Sequence, residues 1–238
     1  MNGVDAFWVY LQAGPLLWLV LTLGAYSLAF ALFGLAKGNP LVNPVAVAVA
    51  MIVVLLVATG TPYSTYFAGA QFVHFLLGPA TVALGLPLWR HLGTVRRLIL
   101  PMGLALLAGS TTAILSAVAV AWALGASHDT IASLAPKSVT SPIAMAVSER
   151  LGGLPSLTAA LVMVTGILGA MTATPLLNLL RIKDPRARGF AVGLAAHGIG
   201  TARAFQVSEL AGTFAGIAMA LNGLLTALLA PLLLLWLR

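Results

Sequence analysis

The sequence predicts an all-α polytopic membrane protein, and three observations carry this prediction. Of the 238 residues, 61% are apolar and only 7% are charged, whereas soluble domains carry about 25% charged residues. The apolar residues form long runs, and a membrane helix needs about 20 such residues. Short turns with Gly, Pro and basic residues separate the runs. We expect about seven transmembrane helices plus one re-entrant or broken hairpin.

The composition excludes several functions. The net charge is +7, but the basic residues lie in short loops without interleaved aromatic residues, which argues against nucleic-acid binding. The chain has no Cys, so disulfides, thiolate metal sites and thiol nucleophiles are excluded. Four His and five acidic residues are scattered along the chain. We therefore expect no enzyme, cofactor or metal site, and the first residues also lack the pattern of a removable signal peptide.

Four apolar runs fill the first half of the chain. The first contains Gly14-Pro15, so its helix is expected to kink or to start late. The third contains Gly78-Pro79 and Pro87, which break regular helix inside a span. The four expected helices cover Phe7–Gly34, Leu41–Thr59, Tyr66–Trp89 and Leu98–Leu124.

The second half changes character after Gly125. Residues 127–150 carry two prolines and five charged or His residues, which is too polar for an ordinary lipid-facing helix. Three apolar runs follow, and the middle one is rich in Gly. We expect membrane-spanning helices over Leu154–Leu180, Gly189–Phe205 and Leu210–Leu237.

The basic loops predict the topology. Cytoplasmic loops carry an excess of Lys and Arg, which places Lys37, Arg90–Arg97 and Arg181–Arg188 inside and the N-terminus outside. If residues 131–150 crossed the membrane, Arg181–Arg188 would lie outside. We therefore expect residues 131–150 to enter and return on the same side. The alternative is eight full spans with one violation of the charge rule.

A faint repeat of 57 residues runs through the chain. The segment Pro79-Ala-Thr-Val-Ala resembles Pro136-Lys-Ser-Val-Thr, and glycines recur at positions 109, 166 and 223. The expected hairpin would leave the repeated units in opposite orientations, and inverted repeats with discontinuous helices are a common transporter architecture. We expect one integral membrane domain over residues 1–238, with halves at 1–125 and 126–238.

The first candidate site lies between Pro136 and Pro142. The two prolines interrupt backbone hydrogen bonding, and such a backbone survives in a bilayer only against protein or a water-filled cavity. The alternative is a surface loop with a Lys side chain that extends to the headgroups. The expected substrate-binding residues, one cation and three hydroxyl groups, are Lys137, Ser138, Thr140 and Ser141.

The second candidate site is a Gly-rich stretch of a later run. Glycine lets the backbone unwind or approach another helix, and intramembrane His and Arg are costly unless they have a function. The alternatives are an interhelical hydrogen bond for His197 and an interface anchor for Arg203. The expected substrate-binding residues here are His197, Gly198, Gly200, Thr201 and Arg203.

Both stretches supply positive charge and hydrogen-bond donors with no acidic cluster beside them. This balance suits a small anion, such as a monocarboxylate, better than a metal cation. Glu149 and Glu209 are the nearest acids. Together with His197 they are the candidates for carrying a proton that is coupled to transport. The alternative for each acid is a salt bridge at the rim. Thr81 is expected to be the counterpart of the first site in the earlier repeat.

Several long motifs resemble those of the LrgB/CidB family, which includes the YohK-type proteins and the membrane domain of the plastid glycolate/glycerate translocator. The resemblance extends from about Pro15 onward. Two positions depart from the family pattern: Ser141 stands where a second Thr is common, and Ala196 where a Ser is common. The motifs are GPATVAL from Gly78, PKSVTSPIA from Pro136, LGGLPSLTA from Leu151, TGILGA from Thr165 and RGFAVGLAAHGIGTARA from Arg188.

The resemblance implies a function and a partner. Members are described as holin-like or antiholin-like proteins that affect murein hydrolase activity and lysis, and some as transporters of pyruvate, glycolate or glycerate. They are paired with a small LrgA/CidA-type membrane subunit. We therefore expect a multi-pass transporter or channel subunit for small monocarboxylates in the bacterial cytoplasmic (inner) membrane. The alternative is a holin/antiholin-like protein that controls murein hydrolases and lysis.

Small residues predict close helix packing at two places, Gly189/Gly193 and Gly212/Gly216. Glycines four residues apart lie on one helix face and let two backbones approach closely. Such faces are compatible with a homodimer, although they serve packing within one chain more often.

Overall fold

The computed structural model describes residues 14–76, 79, 82, 83 and 89–235. Within these residues every regular element is an α-helix, as the sequence predicts. Thr81 and residues 7–13 of the first predicted helix lie outside the described residues. The helices are α1 (Pro15–Leu35), α2 (Pro44–Thr59), α3 (Tyr63–Phe75), α4 (Leu92–Arg97), α5 (Ile99–Ala123), α6 (His128–Leu134), α7 (Ser141–Arg150), α8 (Pro155–Leu179), α9 (Pro185–Val207) and α10 (Glu209–Leu235).

The chain folds as two compact units, Met1–Ala83 and Leu84–Arg238. This division differs from the predicted halves 1–125 and 126–238. Those halves rest on the faint sequence repeat and stay a prediction. Four of the described helices, α1, α5, α8 and α10, are long and apolar enough to cross a membrane, and α2 is a shorter apolar helix. The protein is therefore an all-α polytopic membrane protein.

In the first unit, α1 packs against α2 and α3. Trp18 of α1 is completely buried, and the edge of its ring meets Tyr66 of α3 with the ring centroids 5.9 Å apart. Gly69 lies so close to the backbone of Pro15 that any side chain there would collide. Asn43 caps the N-terminus of α2, because its side chain accepts hydrogen bonds from two backbone N–H groups of the first turn.

In the second unit, α5 and α10 run side by side in the same direction. Their first turns meet in an apolar cluster that contains Met102 and Phe214. Their last turns meet in another cluster, which contains Val118 and Ala230. Ser110 and Asn222 face each other between the two clusters, in the middle of each helix.

The two basic loops of the second unit lie at one end, which we call the basic end. Arg90, ahead of α5, forms a salt bridge of 3.2 Å with Glu209 at the start of α10. Asp184 starts α9 by accepting hydrogen bonds from the backbone and guanidinium of Arg186, and these bonds hold the pKa of Asp184 below its usual range. Phe190 packs the start of α9 into the same cluster as the starts of α5 and α10. This is the arrangement that the charge rule predicts for the two loops.

Residues 128–150 fold back on themselves through α6, a turn and α7, and we call them hairpin 1. Thr158 Oγ1, on α8, lies 2.7 Å from Ser148 Oγ and 3.1 Å from the carbonyl oxygen of Ser133. The Ser133 hydroxyl in turn accepts a hydrogen bond of 2.7 Å from the backbone N–H of Leu154. Because Ser133 precedes the turn and Ser148 follows it, both arms open at the same end. This is the fold-back that the charge rule predicts.

Helix α9 also folds back, and we call it hairpin 2. The backbone leaves helical geometry at Ala196 and at His197, whose φ is +41°. Gly200, just after this turn, lies against the carbonyl group of Val192 just before it. A straight helix would separate these two residues by about two turns.

Glycine packing holds the first arm of hairpin 2 against α10. Gly189 and Gly193 touch the backbones of Ala211 and Ala215 so closely that no Cβ atom would fit. Ala204, on the returning arm, packs with the same two alanines. The predicted small-residue face is therefore used within the chain, and the homodimer stays a prediction without support from this face.

Hairpin 2 corrects one expectation from the sequence. Gly189–Phe205 was expected to cross the membrane, but the chain returns to the basic end before α10 begins. The physical reason is the left-handed backbone of His197 together with the close packing of both arms on α10. Within the described residues, the second unit therefore has a second hairpin where the sequence predicts a span, and the two hairpins open at opposite ends.

The 57-residue glycine repeat marks the places where the hairpins pack. Each glycine lies in the middle of a long helix and faces a side chain of a hairpin. A Cβ atom at any of the three would come within 2.6–2.8 Å of that side chain. The pairs are Gly109 with Leu194, Gly166 with His197, and Gly223 with Ile143.

Candidate functional site

The tip of hairpin 1 leaves regular helix between Pro136 and Pro142, where the sequence predicts a break. Its backbone forms tight turns, in which the Lys137 N–H donates to the Leu134 carbonyl and the Val139 N–H to the Pro136 carbonyl. Val139 is completely buried and packs on Val162 of α8. The tip is thus a folded turn against protein, as the sequence predicts for a broken backbone at membrane depth.

Polar groups of the predicted first site line this tip. The Lys137 ammonium group is half-buried and donates to the Ser138 hydroxyl over 3.3 Å. Thr140 occupies the N-cap position of α7 with an extended backbone, and its side chain makes no capping hydrogen bond. Ser141 follows as the first residue of α7. Their hydroxyl groups therefore stand beside the N–H groups of a helix start, which attract anions.

His197 forms the tip of hairpin 2. Its ring Nε2 lies 2.9 Å from the carbonyl oxygen of Val162, the residue on which hairpin 1 packs. The ring occupies the space that Gly166 leaves open on α8. Thr201, also buried, donates its hydroxyl to the His197 carbonyl over 2.8 Å. This matches the interhelical hydrogen bond that was the alternative for His197.

Asn222 of α10 joins the two hairpins. Its amide Nδ2 donates to the Ser138 carbonyl of hairpin 1 over 3.3 Å and to the Leu194 carbonyl of hairpin 2 over 2.9 Å. Its Oδ1 accepts from Ser110 over 2.7 Å and from Thr226 over 3.1 Å. Asn222 is only 1% exposed. These four bonds satisfy both polar atoms of its buried amide, which would otherwise be costly inside the protein.

Sequence reasoning missed Asn222 and its partners Ser110 and Thr226. The available signal was a lone amide in the last apolar run, because a polar side chain inside a membrane helix needs a partner. The sequence did not show that partner, since Ser138 and Leu194 lie far from Asn222 along the chain.

The structure does not bring Arg203 to the tips. It lies on the returning arm of hairpin 2, donates to the Gln206 side chain over 3.1 Å, and lines a cavity together with Arg188. Gly200 packs within hairpin 2, and Gly198 lies beside Met219 of α10. The role of each of these residues in substrate binding stays a prediction.

The two candidate acids lie away from the tips. Glu149 is exposed near the open end of hairpin 1. Glu209 is exposed at the basic end and pairs with Arg90, which is the rim salt bridge that was its alternative. Within the described residues, no group of His, Asp and Glu is arranged to hold a metal ion.

The model of the LrgB-like family matches residues 22–236, which is most of the chain. This protein belongs to the LrgB-like family. The resemblance seen in the long motifs is therefore confirmed. The motif from Pro136 covers the tip of hairpin 1, and the motif from Arg188 covers both arms and the tip of hairpin 2. No solved structure matches the chain.

Several relatives cover most of the chain. The protein YwbG of Bacillus subtilis is 38% identical over 81% of this chain and 85% of its own length. A holin-like protein CidB of Staphylococcus epidermidis is 30% identical over 83% of this chain and 86% of its own. An antiholin-like protein LrgB of Bacillus cereus is 29% identical over 92% of this chain and 95% of its own.

Proposed function

We propose that this protein controls the passage of solutes across a lipid bilayer at the meeting of the two hairpin tips. The observation that carries the proposal is the Asn222 amide, which binds one carbonyl group from each hairpin. Discontinuous helices that meet in the middle of the membrane are a common way to build a solute site in transporters.

The proposed solute is a small monocarboxylate, the class that the family resemblance implies. Lys137 attracts the carboxylate, the hydroxyl groups of Ser138, Thr140 and Ser141 hold its oxygens, and His197 orients the solute or carries a proton. Neither salt bridge of the described residues involves Lys137, so no acid there competes with the solute. A small LrgA/CidA-type subunit in the same inner membrane is the proposed partner.

The second candidate is a holin/antiholin-like function in controlling murein hydrolases and lysis. It is the candidate that the comparisons favour, because relatives are named holin-like CidB and antiholin-like LrgB. The geometry of the tips favours selective passage, since a lesion of the membrane needs no buried tips that share a polar anchor.

Uptake by proteoliposomes tests the first candidate. Lys137→Ala is expected to lower the uptake of radiolabelled pyruvate, glycolate or glycerate by about tenfold or more, because a charge-assisted hydrogen bond is lost. Lys183→Ala is the matched control, since Lys183 is exposed in the second basic loop, and it should leave uptake unchanged. Each variant is assayed with and without an LrgA-type subunit, and its unfolding temperature is measured to show that it folds.

Efflux of a trapped, uncharged dye distinguishes the two candidates. Saturable flux of carboxylates without loss of the dye supports selective passage. Loss of the dye at the same rate as the carboxylate, unaffected by Lys137→Ala, would contradict selective passage and support the holin-like function.

A further inference from the structure

An apolar groove of about 440 Å³ lies between α5 and the first arm of hairpin 2. At the basic end it is lined by Leu98 and Arg186, and in the middle of the helices by Gly109 and Leu194. The groove closes at the second place, because the Leu194 side chain packs so tightly on Gly109 that a Cβ atom would lie 2.8 Å from it. The groove therefore extends from the basic loops and ends before the hairpin tips.

Small residues form the two walls of this groove. Ala105 of α5 and Ala191 of hairpin 2 line it and are both exposed, so the groove is open along its side, on a helix long and apolar enough to cross a membrane. Its floor is the apolar cluster that contains Met102, Phe190 and Phe214. A large apolar depression on a protein surface is typical of a binding site.

The length of the groove matches one leaflet of a bilayer. It extends from Leu98, at the start of α5, to Gly109, which is about 16 Å at 1.5 Å per residue. The hydrocarbon core of a bilayer is about 30 Å thick. A spanning helix of another protein would need a groove over the whole thickness, whereas one acyl chain of a lipid occupies a single leaflet. The length therefore favours a lipid.

Both basic loops lead into the end of the groove. Arg97 directly precedes Leu98, Lys183 directly precedes Asp184, and both basic side chains are exposed. Arg186 lines the groove itself and donates to Asp184 through Nε and Nη2, so this pair uses two of its three guanidinium nitrogens. The excess of positive charge at the groove attracts the phosphate of an anionic headgroup.

We propose that this groove binds one acyl chain of an anionic phospholipid from the leaflet at the basic end, with its phosphate beside Arg186 and the basic loops. The apolar floor receives the chain, and the closed end at Gly109 and Leu194 sets its depth. Basic pockets between membrane helices on the cytoplasmic side are suited to anionic headgroups. The site goes beyond the proposed function, because lipid binding requires neither a solute nor its passage.

Native mass spectrometry of the purified full-length protein measures this binding, in titrations with phosphatidylglycerol or phosphatidylcholine in a nonionic detergent. We expect the first phosphatidylglycerol to bind with a Kd about tenfold or more below that of phosphatidylcholine, because its net charge is negative. Arg186→Gln should remove most of this difference. Arg150→Gln is the matched control and should retain it, since Arg150 is exposed at the open end of hairpin 1.

Two variants test the groove without a change of charge. Ala105→Phe should weaken the binding of phosphatidylglycerol by about tenfold or more, because the new ring fills the space of the acyl chain. Ala108→Phe is its control, since Ala108 is exposed on the same helix but does not line the groove. Ala191→Phe fills the groove from the opposite wall and replaces Ala105→Phe if that variant fails to fold.

Photolabelling of the unaltered protein keeps the test decisive without any variant. A phosphatidylglycerol with a diazirine in its acyl chain should label peptides that contain Met102 or Phe190. Labels confined to other segments, equal Kd values for the two lipids, or binding unaffected by Ala105→Phe and Ala191→Phe would each overturn the proposal. A dimer that is lost in Ala105→Phe while lipid binding persists would also overturn it, and would assign the groove to a second copy of the chain.

Discussion

Asn222 shows at the scale of single residues how one polar group can organise a membrane site. Its amide donates to the carbonyl groups of Ser138 and Leu194, which lie close to the places where their segments leave regular helix. An unpaired carbonyl group inside a bilayer has no water to accept its hydrogen bond. The two tips therefore hold their shape through a side chain that belongs to neither hairpin.

Asn222→Leu tests this dependence. The variant removes the donor for both carbonyl groups and should lower the free energy of unfolding by about 1–3 kcal/mol. Thr172→Val is the matched control, because Thr172 is exposed and bonds only within α8, and it should change stability little. Chemical denaturation in detergent measures both. Equal stability of the two variants would contradict the anchoring role of Asn222.

At the scale of elements, each hairpin exists because glycines let it approach the long helices closely. Gly166 is the clearest case, since a Cβ atom there would lie 2.6 Å from the His197 ring. A Cβ atom on Gly103 of α5 would have no neighbour within 4 Å. Packing therefore requires glycine at position 166, whereas at position 103 glycine only weakens the helix.

Gly166→Ala and Gly103→Ala form a matched pair. Gly166→Ala should displace the His197 ring, break its 2.9 Å contact with the Val162 carbonyl, and destabilise the protein by about 1–3 kcal/mol. Gly103→Ala should be neutral or stabilise by up to about 1 kcal/mol, since Ala favours helix. Unfolding temperatures of the two variants decide the matter, and a stabilised Gly166→Ala protein would refute the tight packing.

At the scale of the whole molecule, the two hairpins of the second unit enter from opposite ends. The ends of hairpin 1 lie by the last turns of α5 and α10, and those of hairpin 2 lie at the basic end. Each hairpin is followed by a long helix, α8 or α10, that crosses in the opposite direction from the other. This inverted arrangement is the one in which a site can open to either side alternately.

Labelling of single cysteines tests this topology, and the chain contains no Cys that would interfere. Cys at exposed His128 and Arg150 should react with an impermeant maleimide from outside the cell. Cys at exposed Lys183 and Val207 should react only after the membrane is opened, because the basic end is expected to be cytoplasmic. Labelling of His128 and Arg150 from opposite sides would restore the alternative in which residues 131–150 cross the membrane.

The sequence by itself determined the membrane class, the common side of the basic loops and the break between Pro136 and Pro142. Hydrophobicity, charge and missing backbone donors are local properties, so they can be read without a fold. Only the tertiary structure decided that α9 turns back at His197, that Asn222 joins both tips and that Arg203 lies with Arg188. Each of these depends on groups far apart along the chain that meet only when the helices pack.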